Sequence, residues 1–130
     1  MSAYNIYAGF REREAPASAL AQALRAELET AFGIGFTDHD TGFASSFTWG
    51  DGDRWLTVSV PAIPDRDEPH RSRPARITAH RTDTDAFAHQ VFEALDATGR
   101  YSLFMIEDDW RLVRTNSDLA RAQWDEAQDD

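Results

Sequence analysis

The sequence predicts an α+β fold: a mainly antiparallel sheet built from two strand-helix-strand-strand units, with helices packed on one face and a further helix at the C-terminus. Three observations carry this. Segments with apolar residues at every second position, the strand period, flank segments with apolar residues at every fourth, the helix period. The order strand-helix-strand-strand occurs twice, and two such units side by side make one sheet with helices segregated to a face. Residues 61–75, PAIPDRDEPHRSRPA, hold four of the five prolines and separate the units. With 130 residues, 42% of them hydrophobic, the chain suits one domain spanning 1–130. That length hides roughly two-thirds of the unfolded surface, enough for a core without disulfides, and the chain has no cysteine.

Taken in order, Tyr4, Ile6, Ala8 and Phe10 alternate with Asn5, Tyr7 and Gly9, the pattern of a half-buried strand. After Pro16, Leu20, Leu24, Leu28 and Phe32 recur every four residues and Gly33 supplies a stop, so 17–33 reads as an amphipathic helix lying on a surface. Phe43 to Trp49 and Trp55 to Val60 are strands. The stretch between them, Gly50-Asp51-Gly52-Asp53, reads as a hairpin turn in which glycine supplies the positive φ. Trp49 and Trp55 flank that turn, placed to pair across the ladder. A calcium loop needs a bidentate Glu at its twelfth position, where this chain has Ala62 or Pro64.

Residues 61–75 read as a long loop, of the kind that carries function or moves. From Pro61 to Thr82 five arginines (Arg66, Arg71, Arg73, Arg76, Arg81) stand against three acids (Asp65, Asp67, Glu68), the one basic island of the chain. It reads either as a solvated loop or as a patch for anions, since arginine contacts carboxylate and phosphate bidentately. Arg76 to His80 is a short strand. Thr82 and Asp83 are candidate caps for a second helix, carrying Phe87, Val91 and Leu95 and closed by Gly99. RYSLFMIED is apolar on both faces, so it reads as a central strand covered at least in part on both sides. Trp110 to Arg114 is a further strand, and Asn116-Ser117-Asp118 can cap a last helix that ends in an acidic tail, 125–130. In this register Ile6, Phe47, Val58, Ile77 and Leu112 face the helices. Asn5, Tyr7, Ser46, Thr48, Trp55, Thr57, Ser59, Arg76, Thr78 and His80 take the opposite, hydroxyl-rich face.

Charge narrows the function. A net charge of −10, with a pI near 4.7, argues against binding a nucleic-acid backbone or an anionic membrane and suits a basic protein partner or plain solubility. The N-terminus lacks the basic and apolar regions of a secretory signal, and no apolar run reaches the ~20 residues of a membrane span, so the expected location is the cytoplasm. All 13 basic residues are arginine, which points through codon usage to a GC-rich bacterial or phage gene.

Catalytic patterns are absent. The serines lack an elbow motif and an oriented base. Asp38-His39-Asp40 has no HxxxH or HExxH to complete a metal site. His89 reads as a helix-surface partner of Glu93, and Glu107, Asp108 and Asp109 as a solvated hairpin tip. No catalytic residue, cofactor or metal site is assigned. The tandem strand-helix-strand-strand order resembles the small-ligand-binding domains of the gyrase-inhibitor-like class, and from the first helix onward the order and acidity resemble secretion chaperones. These resemblances concern element order alone and carry over no site residue.

Three readings follow. The first is a non-enzymatic inhibitor or immunity-type protein that occludes a protein partner. Its docking group would be Glu107, Asp108, Asp109, Trp110 and Trp124, with Tyr7 and Trp55 on the sheet face; acids steer and aromatics anchor. The second is a ligand-binding or sensory module with a pocket lined by Phe43, Phe47, Trp55 and Tyr101. The third is a chaperone-like homodimer.

Overall fold

Alternating segments pair into a sheet because each buries one apolar row and satisfies its backbone groups through its neighbours. The computed structural model describes residues 4–12, 15–39, 43–63, 65–81, 86–107 and 111–128. Its strands are β1 (Tyr4–Phe10), β2 (Thr37–Asp38), β3 (Ala44–Gly50), β4 (Arg54–Pro61), β5 (Ala75–Arg81), β6 (Tyr101–Glu107) and β7 (Arg111–Thr115). The helices are α1 (Ala17–Phe32), α2 (Ala86–Asp96) and α3 (Asp118–Gln128). The seven strands form one sheet in the order β2-β3-β4-β5-β1-β6-β7, every neighbouring pair antiparallel. The expected α+β fold with a C-terminal helix is thus observed. The expected caps Thr82 and Asp83 lie outside the described residues.

Pairings run from Ser46 through Ser59 and Arg76 to Tyr7 and Phe104, and from Phe47 through Val58 and Ile77 to Ile6 and Met105. The second row is fully or almost fully buried and meets Leu20, Leu24 and Leu28 of α1 and Phe87, Val91 and Leu95 of α2, all in one core. The four-residue spacing puts those side chains on one stripe of each helix. Gly33 ends α1 in the left-handed conformation, φ 65°, and Ile34 N–H reaches back to Glu29 O. The central strand β6 is covered on both faces: Tyr101, Leu103 and Met105 join the main core, while Phe104 and Ile106 form a second cluster with Trp124 of α3. Thus α3 lies on the face opposite α1 and α2.

Two expectations are corrected. Leu112 does not face α1 and α2; it packs with Phe104, Ile106 and Trp124. The ladder between β6 and β7 slips between Met105 and Ile106, so Val113 drops out of register and turns to the main core instead. Trp49 and Trp55 do not pair. Trp49 opposes Leu56 and lies near Phe87, whereas Trp55 opposes Gly50 and lies on the other face. Trp55 leans over that glycine, where a Cβ would come within 2.9 Å of its ring. The turn is held by Asp51, whose Oδ1 accepts Asp53 N–H at 3.0 Å and Arg54 N–H at 2.7 Å, with Gly52 at φ 91°. Those two backbone donors lead in drawing the Asp51 pKa below the ordinary carboxylate value.

The two-residue β2 is held from α1. Arg25 pairs with Glu29 and Asp38 and donates to Phe36 O at 2.9 Å, while Glu29 accepts Phe36 N–H at 3.0 Å. Burial pulls the Arg25 pKa down, but the two carboxylates outweigh it and the value ends above the ordinary one.

Two features of the core give predictions. Gly9 on β1 lies under the 65–74 loop so closely that an added Cβ would stand 2.0 Å from Ser72 O. Gly9→Ala should therefore lower stability by about 1–3 kcal/mol through displaced backbone, read as a lower urea midpoint; an unchanged midpoint would show that the loop is not pressed on the sheet. The Tyr101 hydroxyl is buried with no hydrogen-bond partner among the described residues, and burial raises its pKa. Tyr101→Phe removes an unsatisfied group, so the variant should be as stable as the parent or more stable by about 1 kcal/mol. A clear loss in the same titration would reveal a partner for that hydroxyl.

Candidate functional site

Residues 65–74 cross the second face of the sheet and dock onto α3, and one arginine organises this. Arg73, only 3% exposed, donates from Nε to Ser102 Oγ at 2.8 Å and from Nη1 to Pro69 O and Gln123 Oε1, each at 3.0 Å. Its Nη2 reaches Ser117 Oγ at 3.4 Å, a weak contact. A planar guanidinium with five fixed donors can join three parts of the chain, the loop, β6 and the α3 region, in this way. Glu68 completes the clamp by accepting Ser72 N–H at 2.7 Å, Ser72 Oγ–H at 2.6 Å and, weakly, Gln123 Nε2–H at 3.3 Å. The peptide bond before the buried Pro69 is cis. His70 is inserted edge-on against Tyr7, centroids 4.6 Å apart, and Phe104, 5.2 Å apart.

Burial lowers the Arg73 pKa, with Glu68 compensating only in part. Burial also raises the Glu68 pKa, but the hydrogen bonds from Ser72, the charge of Arg73 and the bond from Gln123 outweigh it, leaving the carboxyl below its ordinary value.

The loop and α3 divide the second face. Over β1, β6 and β7 it is covered by His70 and Trp124. Over β3, β4 and β5 it presents Ser46, Thr48, Trp55, Thr57, Ser59, Arg76, Thr78 and His80, continued by Asn5 on β1. Trp55 is 42% exposed, its ring 5.4 Å from that of His80. Ser46 Oγ donates to Ser59 Oγ at 3.2 Å and Thr78 Oγ1 to Asn5 Oδ1 at 2.7 Å, so part of the polar row is already paired across strands.

The other product of the loop is a cleft of about 1040 Å³ between the loop, the end of β1 and the start of α3. Arg11, Arg66, Arg71 and Arg73 line it together with Glu12 and Asp65. A smaller hollow of about 520 Å³ lies across the loop, beside Tyr7, Arg76 and Trp124.

The sequence-selected docking residues are not brought together. Glu107 continues the Met105 face, the α1 and α2 side of the sheet, where it accepts Tyr4 Oη–H at 2.7 Å and pairs with Arg111 at 3.1 Å. Asp108, Asp109 and Trp110 lie outside the described residues. Trp124 is 7% exposed and packs on Phe104, so its ring anchors α3 to the sheet. Tyr7 is half-buried and stacks on Phe104, centroids 4.9 Å apart. Of the described members of the set, Trp55 has the exposed aromatic ring. The pocket expected from Phe43, Phe47, Trp55 and Tyr101 does not form: Phe47 and Tyr101 are core, Phe43 is 86% exposed, and Trp55 is on the other face.

His89 meets Arg114 rather than pairing directly with Glu93. The Arg114 guanidinium lies 3.3 Å from His89 Nδ1 and 3.5 Å from Glu93, over the face of Phe92. Among the described residues no group of His, Asp and Glu side chains could hold a metal ion, and no helix is long and apolar enough to cross a membrane.

No protein-family model matches the sequence, and no curated protein or solved structure matches it at a significant level.

The Glu68 clamp makes loop docking sensitive to acid. A carboxyl whose folded pKa lies below its unfolded value stabilises the fold above the unfolded value, and that contribution disappears as pH falls through the folded one. Glu68→Gln should therefore be less stable than the parent at neutral pH, and the gap should close as pH falls through the folded-state value of Glu68, below the ordinary carboxylate value, where both carry an uncharged residue. Urea unfolding of both proteins across that range measures this; a gap constant with pH would remove the charge from the explanation.

Proposed function

We propose that this chain is a small non-enzymatic protein-binding protein, of the inhibitor or immunity type, that acts by covering a surface of its partner. The observation that carries the reading is the bare half of the second sheet face over β3, β4 and β5, with Trp55 exposed among Thr57, Thr78, Arg76 and His80. Tryptophan and arginine dominate binding energy at protein interfaces, and a hydroxyl-rich surround supplies adaptable hydrogen bonds around such an anchor. The other face is taken up by α1 and α2, so this half-face is the broad regular surface left for docking. The net charge of −10 favours a basic partner through steering of the encounter, to which Asp108 and Asp109 contribute as sequence-level charge. Of the aromatics first given the anchoring role, Trp110, Trp124, Tyr7 and Trp55, it is Trp55 that this reading keeps, since Trp124 packs on its own sheet.

Native mass spectrometry of the protein purified gently from its own host should find a second polypeptide at fixed stoichiometry. Hydrogen exchange on that complex should then protect 55–59 and 76–80. Trp55→Ala should weaken it by about 2 kcal/mol or more, roughly 30-fold, with Arg121→Ala, on the exposed side of α3, as a neutral control. A bare monomer would sink the reading. A mass of two identical chains would replace it with the homodimer.

A further inference from the structure

Three of the arginines in the basic island, Arg66, Arg71 and Arg73, converge with Arg11 on the cleft under the 65–74 loop. Glu12 and Asp65 line the same walls, so four arginines against two acids leave a formal +2 in a chain of net −10. Arg66 and Arg71 are exposed and make no ion pair among the described residues. Arg73 at the back is almost wholly buried, and its hydrogen bonds all go to neutral oxygens, of Ser102, Pro69, Gln123 and Ser117. A buried cation held by neutral acceptors has its hydrogen bonds satisfied and its charge incompletely balanced.

The neighbouring hydroxyls point to the same chemistry. Ser102 and Ser117 each accept from Arg73, which leaves the hydroxyl proton of each to be donated elsewhere. Both line the cleft. The lining also includes the apolar Phe10, Leu20, Pro74 and Leu119, and Leu119 is 62% exposed, a large aliphatic side chain facing solvent. Cationic and hydroxyl donors lining the same cleft as hydrocarbon suit a ligand with an acceptor-only head and an apolar body.

We propose that this cleft binds a small organic anion, a carboxylate or phosphate head on an aromatic or short aliphatic body. Arg66 and Arg71 supply the charge, Ser102 and Ser117 donate to the head, and Phe10 and Leu119 take the body. The inference does not rest on the open sheet face, because Trp55, Thr57, Thr78 and His80 do not line the cleft.

The test is a backbone amide NMR titration of the full chain with phenyl phosphate, benzoate and, as the neutral counterpart, benzamide. Either anion should give saturable shifts at Ser102, Ser117 and Leu119, and the tighter of the two identifies the preferred head. Benzamide should give none. The double variant Arg66→Ala, Arg71→Ala, which alters exposed side chains only, should weaken the anion by about tenfold or more. The proposal is overturned if neither anion gives saturable shifts at these amides up to about 10 mM, weaker than any useful affinity. It is equally overturned if benzamide matches the anions, or if the double variant binds as the parent does. Trp55→Ala, which tests the docking face, should leave these titrations unchanged.

Discussion

A guanidinium buried among neutral oxygens is costly to desolvate, and that cost is offset where its hydrogen bonds join several parts of the fold. Arg73 does this for the second sheet face. It ties Pro69 of the loop, Ser102 of β6, Ser117 just before α3 and Gln123 of α3 into one network, with Glu68 alongside to compensate part of its charge. Loop, strand and helix therefore dock as a unit. The consequences reach both candidate surfaces: where this unit covers the sheet there is a second small core, where it stops β3 to β5 are left open, and at its margin the cleft forms.

Much of the architecture was legible because period and burial agree. Leu20, Leu24 and Leu28, Phe87, Val91 and Leu95, and the alternating rows of β1, β4 and β5 fall on the faces that their spacing implies. The two-faced apolar run of β6 correctly indicated cover on both sides. What was not legible depends on contacts remote in sequence. β2 has two residues and exists because Arg25 and Glu29, on a helix, hold Phe36 and Asp38. The slip beside Met105 that turns Leu112 to the second cluster leaves no pattern in a five-residue strand.

The candidate surfaces divide in the same way. The membership of the polar face, from Ser46 through Trp55 to His80, follows from strand parity alone and needs no side-chain contact to be read. The basic island was visible as composition, but Arg73 could not be told from Arg66 or Arg71, since its burial depends on Gln123, fifty residues further on. Trp124 misleads for the opposite reason. In an acidic helix with little other apolar content it resembles an anchor for a partner, when the surface it anchors to is its own sheet.

The position of β1 in the sheet has a consequence for how the chain comes to be folded. β1, the first of the seven strands in chain order, lies between β5 and β6, with Tyr4 opposite Glu107, 103 residues later. Until β5 has emerged, β1 lacks both neighbours and exposes an apolar row together with two unpaired edges. The hairpin of β3 and β4 and the helix α1 can form locally, but the centre of the sheet closes only when β6 arrives. Loop closure over so many residues is entropically unfavourable before its contacts form, which places the molecule among slowly folding, high-contact-order topologies. The vulnerable interval is therefore synthesis, when β1 waits for partners encoded far downstream of it.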